Sequence, residues 1–297
     1  MIVITAPTGN IGRRLLALLL ESAPAAGEEL RVIVRDPARV PDCARGRVEI
    51  VTGSHGDPDV LDQAFAGADA VFWLVPPDAS LTPLDAWTTF TRPAAEALAA
   101  HGVGHAVGVS ALGRGTPLAD RAGLVTASLA MDDLIAGSGV AYRALANPSF
   151  FENLLEEADS IREKGFFTDT VEPDRKAPLV AVADIAAAAE RLLLDRSWTS
   201  VGSVPVLGPE DLSANDLARI MTEQLGQPVR YERQPLEEMF TTLVGYGLNE
   251  EFVQGIVDMK RAKDEGLDTG VARIPGTSSP TTFEQWCAET LKPAVQS

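Results

Sequence analysis

The sequence predicts an α/β protein: a doubly wound parallel sheet with a smaller, mostly helical domain toward the C-terminus. Three observations carry this. Short, continuous apolar runs alternate with longer helix-type stretches through the first half, the pattern of strands buried on both faces. A glycine-bearing turn separates the first run from the first helix. Beyond about residue 207 the alternation gives way to helices and loops.

The elements follow in order. Ile2–Thr5 reads as a compact strand, and Asn10–Ser22 as an apolar helix behind the glycine turn. Leu30–Arg35, Val48–Thr52, Ala68–Val75, His105–Ser110 and Ala141–Leu145 are the next strands. Helices fall between them at Val60–Phe65, Pro83–Ala100 and Ala119–Ala136, and right-handed crossovers are expected. Val182–Leu194 is a strong helix for which Asp184 is the expected cap, since its carboxylate can accept an orphan N–H of the first turn. Val201–Leu207 is a strand able to return to the sheet, ended by Gly208-Pro209. Ser213 reads as the N-cap of a helix to Leu225, closed by Gly226 as a left-handed C-terminal residue. Val229–Arg233 is a short strand. Pro235–Met259 and Phe283–Leu291 are helical with loops, and the Gly-, Thr-, Ser- and Pro-rich stretch Lys263–Pro280 is a loop. The domain reading is 1–150 for the sheet domain, with 178–207 returning to it. Residues 151–177 and 208–297 form the smaller domain.

Composition narrows the functions. The 297 residues carry 25 Lys+Arg against 42 Asp+Glu, a formal net charge of -17. Each phosphate contact with nucleic acid wants a cation, so the overall field argues against a nucleic-acid partner. Cys43 and Cys287 lie far apart, without metal spacing, which fits a reducing cytoplasm and no disulfide framework. The histidines are His55, His101 and His105, and Gly102 and Gly104 break any helical pairing of the last two, so no metal site is expected. The apolar run Leu15–Leu20 is far short of the roughly 20 residues of a membrane span. The opening Met1-Ile2-Val3-Ile4 has no charged leader before it, so no signal peptide is expected.

The strongest chemical signal is Thr5-Ala6-Pro7-Thr8-Gly9-Asn10-Ile11-Gly12-Arg13. Gly9 lets the backbone approach a pyrophosphate, and Gly12 lets the helix pack close to the sheet. The free N–H groups of the helix start bind the anion. Ala6 stands where such a fingerprint usually has its first glycine. An ordinary tight turn is the alternative. The second strand then bears on the cofactor. An acid at its end holds a ribose 2′-hydroxyl in NAD binders, whereas an Arg holds the 2′-phosphate in NADP binders. Arg35 stands there, with Arg39 and Arg13 able to join it, and its guanidinium fork matches a phosphate. Asp36 is the competing acid, and a solvated Arg35 is the other alternative. NADP(H) is favoured over NAD(H). The cofactor-binding set is Thr8, Gly9, Asn10, Ile11, Gly12, Arg13, Arg35, Pro76 and Ser110.

At this point the chain resembles the NmrA-like, atypical short-chain dehydrogenase/reductase group. The matching pieces, besides Thr8–Arg13, are Val34–Arg39, Gly67–Phe72, Val109–Gly113 and Gly137–Tyr142, then Phe150–Leu154, Val182–Ala186 and Gly208–Ser213. That group includes NAD(P)H:quinone reductases, isoflavone-reductase-like enzymes and non-catalytic NADP-sensing regulators. The resemblance implies a Rossmann-type domain, a smaller C-terminal domain, and substrate in the cleft between them. The departures are specific. The group's wider class uses Tyr-x-x-x-Lys as proton donor, but the residues four after Tyr142, Tyr231 and Tyr246 are Ala146, Pro235 and Glu250. Isoflavone-reductase-like members use a Lys that falls near Ser128, and Ala119–Ala136 contains no Lys. Their Arg-Pro after the sixth strand is Ala146-Asn147 here.

Without those donors, acceptors whose reduced anion is delocalised are favoured. A hydroquinone anion needs a dedicated acid less than an alkoxide does. A small aromatic or quinone-like substrate is therefore expected, with Trp73, Trp87, Phe150 and Phe151 as candidate pocket walls or, alternatively, core residues. Ser110 and Asn147 are the candidate catalytic residues. The Ser110 hydroxyl either bonds a substrate oxygen or caps the next turn, and Asp132 is with Asn147 a polar candidate nearby by topology, a solvated helix residue being its favoured alternative. Three functions compete: an NADPH-dependent reductase of quinone-like or polycyclic aromatic acceptors, a non-catalytic NADP(H) sensor acting on a protein partner, and a non-redox tailoring protein for an aromatic small molecule. The reductase leads, and a homodimer is left open.

Overall fold

A computed structural model describes residues 1–273 and 279–297 of the chain. Two compact units emerge. The first is Met1–Ala111, Ala127–Ala146 and Ile185–Val204; the second is Leu112–Thr126, Asn147–Asp184 and Pro205–Ser297.

The first unit is built on a seven-stranded sheet. In chain order its early elements are β1 (Ile2–Ile4), α1 (Asn10–Ser22), β2 (Leu30–Val34), β3 (Glu49–Thr52), α2 (Pro58–Phe65), β4 (Ala70–Trp73), α3 (Pro83–Ala100) and β5 (His105–Ala111). Then come α4 (Leu124–Gly137), β6 (Ala141–Asn147), β7 (Ser149–Phe150), α5 (Ala158–Lys164), β8 (Phe166–Asp169), β9 (Ala177–Val180), α6 (Val182–Leu194) and β10 (Val201–Pro205). The sheet order is β10-β6-β5-β4-β1-β2-β3. β1 pairs parallel with both β2 and β4, Ile2 opposite Leu30 and Ala70, and β3 and β5 extend the parallel run outward. This strand order, with its switch point at β1, is the Rossmann arrangement. Burial explains it. Every residue of β1, β2 and β4 is buried, including the charged Arg31. Arg31 is accommodated because its guanidinium donates to the Ala64 and Ala66 carbonyls at 2.7 and 2.8 Å and pairs with Glu49 at 2.8 Å.

Helix ends follow local chemistry. Asp57 caps α2 by accepting from the Asp59 N–H, and Thr82 caps α3 by accepting from Asp85. α4 begins five residues later than the sequence predicts. Gly123 sits at φ +52 with its Cα against the Gly255 backbone, so the chain turns there before the helix starts.

The second unit contains β7, α5, β8 and β9 together with the remaining elements: β11 (Asp211–Leu212), α7 (Ala214–Leu225), β12 (Arg230–Arg233), α8 (Leu236–Gly245), α9 (Glu250–Asp264), α10 (Phe283–Trp286) and α11 (Lys292–Gln296). β7, β9 and β11 form one small sheet, and β8 with β12 another. α7 has the expected ends: Ser213 and Asp216 form a reciprocal capping box, and Gly226 closes the helix at φ +71. Asp184 does not cap α6. It lies within the first turn, and its carboxylate accepts from the Thr281 N–H and hydroxyl at 3.2 and 2.9 Å. The stretch predicted as a loop from Lys263 starts instead with the last turn of α9; Ile274–Ser278 lie outside the described residues. The short strands β7, β8, β9 and β11 have no counterpart in the predicted elements. They are two to four residues long. The core of this unit gathers Phe151, Phe167, Phe283, Trp286 and Leu291. Among the described residues no helix is long and apolar enough to cross a membrane.

Candidate functional site

The turn between β1 and α1 is held from both sides. Thr5 donates its hydroxyl to the Phe72 carbonyl at 3.0 Å and accepts from the Leu74 N–H at 2.9 Å, which ties the end of β1 to the end of β4. Ala6 then takes φ +48, a left-handed conformation that disfavours a side chain and explains why a glycine is usual there. Gly9 donates its N–H to the Ala6 carbonyl at 3.1 Å. A Cβ on Gly12 would stand 2.1 Å from that same carbonyl oxygen. Gly9 is the N-cap of α1, no side chain among the described residues caps the helix start, and no acidic residue occupies its first turn. An uncapped helix start with close backbone approach is the physical recipe for an anion site. Thr8 is half-buried, Gly9, Asn10 and Arg13 are exposed, and Ile11 and Gly12 are buried.

Arg35 is exposed just past the end of β2. Asp36, the competing acid, accepts from the Ala38 N–H at 3.0 Å and so caps its own turn. Pro76 is exposed beyond the end of β4. His55 follows β3 and carries no motif signal in the sequence. Its ring is buried edge-on against Trp73 at 5.4 Å and tilted against Phe90 at 5.0 Å. Burial, then the Arg35 charge, push its pKa down to about 4. Because the folded pKa is lowered, the unfolded chain binds more protons between about pH 4 and 6.5. Stability from this group is present above that window and lost as pH falls through it. His55→Phe is expected to flatten the acid limb of a urea-denaturation profile, removing up to about 3 kcal/mol of the difference between pH 7 and pH 4.

A polar cluster stands at the far end of β5. Ser110 donates its hydroxyl to Asp132 Oδ2, and Tyr142 donates to Asp132 Oδ1, both at 2.6 Å. The Ser128 hydroxyl is 3.5 Å from that of Ser110. Asp132 is only 3% exposed, so it is not the solvated helix residue its sequence position suggests. The reason lies in Gly108, where a Cβ would stand 2.1 Å from the Tyr142 hydroxyl, so its absence opens the space that brings three strand and helix side chains together. Sequence spacing gives no hint of this, because Ser110, Asp132 and Tyr142 come from three different elements.

The aromatic candidates separate. Trp73 is fully buried in the core of the first unit, its Nε1 donating to the Thr91 hydroxyl at 3.2 Å, and Trp87 packs partly buried against that core. Phe151 is buried in the core of the second unit, 5.2 Å from the Phe283 ring. Asn147 is buried, and its backbone carbonyl accepts from the Leu112 N–H at 3.0 Å. Of the four aromatics, Phe150 lines a cavity of about 420 Å³ within the second unit. The size suits a small ligand. Its walls include Leu154, Phe167, Met239 and Leu243, and its polar groups include Lys260, Lys263, Asp169 and Asp268.

Strand order, glycine turn and uncapped helix start together define a dinucleotide-binding protein of the Rossmann class. The model of the NAD(P)H-binding family matches residues 7–196, and that of the NmrA-like family matches residues 139–286. The chain belongs to the NAD(P)H-binding family and is of the NmrA-like type. It is 28% identical to (4-alkanoyl-5-oxo-2,5-dihydrofuran-3-yl)methyl phosphate reductase of Streptomyces griseus over 97% of each chain. It is also 28% identical to quinone oxidoreductase 2 of Escherichia coli, over 91% of this chain and 89% of that one. The NAD(P)H azoreductase of Xenophilus azovorans is 28% identical over 87% of this chain and 86% of its own. Among solved structures, the Escherichia coli NADPH-dependent quinone oxidoreductase complexed with NADPH superposes with a TM-score of 0.77 at 24% identity, covering 100% of this chain and 99% of that one. A triphenylmethane reductase of Citrobacter has the same fold, with a TM-score of 0.76 at 22% identity over 100% of this chain and 99% of its own.

Proposed function

We propose that this chain is an NADPH-dependent reductase of quinone-like or other polycyclic aromatic acceptors. The observation that carries the reading is the β1–α1 turn, where Gly12 packs on the Ala6 carbonyl and leaves the start of α1 uncapped for a pyrophosphate. NADPH is preferred over NADH because Arg35 is exposed past the end of β2, while Asp36 spends its carboxylate on its own turn. The relatives named for quinone and azo reduction support an aromatic acceptor. So does the sequence, which lacks a Tyr-x-x-x-Lys pair and so suits acceptors whose reduced anion is delocalised. The chemistry supplied by the cofactor is hydride donation, and the chain's own part is to bind and orient. Ser110 donates its O–H hydrogen bond to Asp132, so toward a ligand it serves as an acceptor and orienting group rather than as an acid. Phe150, in the cavity of the second unit, serves as an acceptor wall.

The test is NADPH and NADH oxidation at 340 nm across a panel of naphthoquinones, azo dyes and triphenylmethane dyes. Turnover with NADPH is expected. Arg35→Ala should weaken NADPH binding about 10- to 100-fold and leave NADH within about threefold, the signature of a lost charge-assisted phosphate contact. Tight NADPH binding with no turnover on any acceptor would instead support a non-catalytic sensor, and no nucleotide binding at all would defeat both readings.

A further inference from the structure

Two lysines face the cavity of the second unit from one side of α9. Lys260 and Lys263 are three residues apart, hence neighbours on the helix surface. Each has its own carboxylate. Lys260 Nζ donates to Asp169 Oδ1 at 2.7 Å, and Lys263 Nζ donates to Asp268 Oδ2. The second pair is sealed in: Lys263 is 13% and Asp268 5% exposed at the side chain. Among the described residues the other oxygen of Asp268 has no hydrogen-bond partner. An ammonium carries three N–H donors, and each of these bonds uses one. The cavity therefore offers N–H donors to a ligand oxygen while its lysine charges are already balanced. The full lining repeats this, with three cationic side chains against four acidic ones. A ligand anion would enter without a net positive charge to receive it, and beside a buried carboxylate it would be repelled.

We infer that Lys260 and Lys263, neutralised by Asp169 and Asp268, select an uncharged aromatic bearing carbonyl oxygens and discriminate against anionic versions of the same ring. The apolar walls at Phe150, Met239 and Leu243 take the ring, and the ammonium groups take the oxygens. This deepens the reductase reading and rests on it for the identity of the ligand as an acceptor.

The experiment uses an isosteric pair, anthraquinone-2-carboxamide and anthraquinone-2-carboxylate, titrated calorimetrically into the full chain with NADP+ at pH 7.5. The carboxamide is expected to bind at least about tenfold tighter, the scale of one unbalanced charge in a partly buried site. Asp169→Asn frees the Lys260 charge, so the carboxylate should gain about tenfold while the carboxamide stays within about twofold. A gain in binding cannot come from misfolding, and Asp268→Asn repeats the reading at the second pair. Equal or tighter binding of the carboxylate by the wild-type chain overturns the inference. So does an unchanged ratio in both variants, or failure of the wild-type chain to bind either compound. NADPH oxidation by both compounds with no discrimination would sink the inference and leave the reductase reading standing. Discrimination without oxidation of NADPH by any quinone would do the reverse.

Discussion

Gly12→Val is expected to abolish dinucleotide binding and to destabilise the chain by about 3 kcal/mol or more, beyond the usual cost of overpacking. Even the Cβ of an alanine at this position stands 2.1 Å from the Ala6 oxygen, 2.8 Å from the Ala6 carbonyl carbon and 3.0 Å from the Pro7 Cα. All three are backbone atoms, so no side chain can swing away to make room. The turn itself cannot retreat cheaply. Ala6 already occupies a left-handed conformation, and Thr5 just before it is bonded to two backbone groups at the end of β4. Any relief must shift α1 away from the sheet, and that movement takes the helix start out of reach of a pyrophosphate. Urea denaturation with an NADPH titration measures both effects. A Gly12→Val chain that keeps wild-type stability and NADPH affinity would mean that the turn is not packed as described. Thr5→Val, which loses the two bonds but fills the same space, should weaken NADPH binding without the large stability loss.

The second large effect is at Asp132. Asp132→Ala removes the carboxylate that accepts from both Ser110 and Tyr142 at 2.6 Å in a buried site. A buried donor that loses its acceptor costs about 1–3 kcal/mol, so roughly 3 kcal/mol is expected for the pair. The residue volume lost adds to this. Tyr142→Phe should cost about 1–2 kcal/mol alone, since it removes one bond and leaves Asp132 with the other. The double variant Asp132→Ala/Tyr142→Phe should be less destabilised than the sum of the singles, because the hydroxyl left stranded by the first change is deleted by the second. A cycle by urea denaturation decides this. Strict additivity would mean that the Tyr142 hydroxyl gains nothing from Asp132.

Much of the first unit is legible in the sequence. Ile2–Ile4, Leu30–Val34 and Ala70–Trp73 are continuous apolar runs because both faces of a parallel sheet are covered, and a run of that kind has few other stable fates. The β1–α1 turn is legible because its glycines answer to backbone sterics, which act between residues a few positions apart. The ends of α7 were readable for the same reason: Ser213 and Gly226 act on backbone groups within one turn of themselves. Asp184 shows where such local reasoning stops. It has the right chemistry for a cap, yet its carboxylate is taken by Thr281, almost a hundred residues away.

What the sequence determined by itself is therefore the sheet, the order of its covering helices and the glycine turn, all products of local sterics and of apolar periodicity. What only the tertiary structure decided is which polar and aromatic side chains meet. Trp73 and Phe151 went to two cores, while Phe150, next to Phe151 in sequence, went to a cavity wall. Asp132 left solvent because Gly108, on a neighbouring strand, made room for the hydroxyl that pairs with it. Lys260 lies in a stretch without any motif, and only the packing of α9 beside Asp169, far earlier in the chain, gives it a counter-charge and a cavity to face. The physical reason is common to all three. Burial, pairing and cavity shape are set by contacts between residues far apart in the chain, and no local pattern encodes a distance across a core.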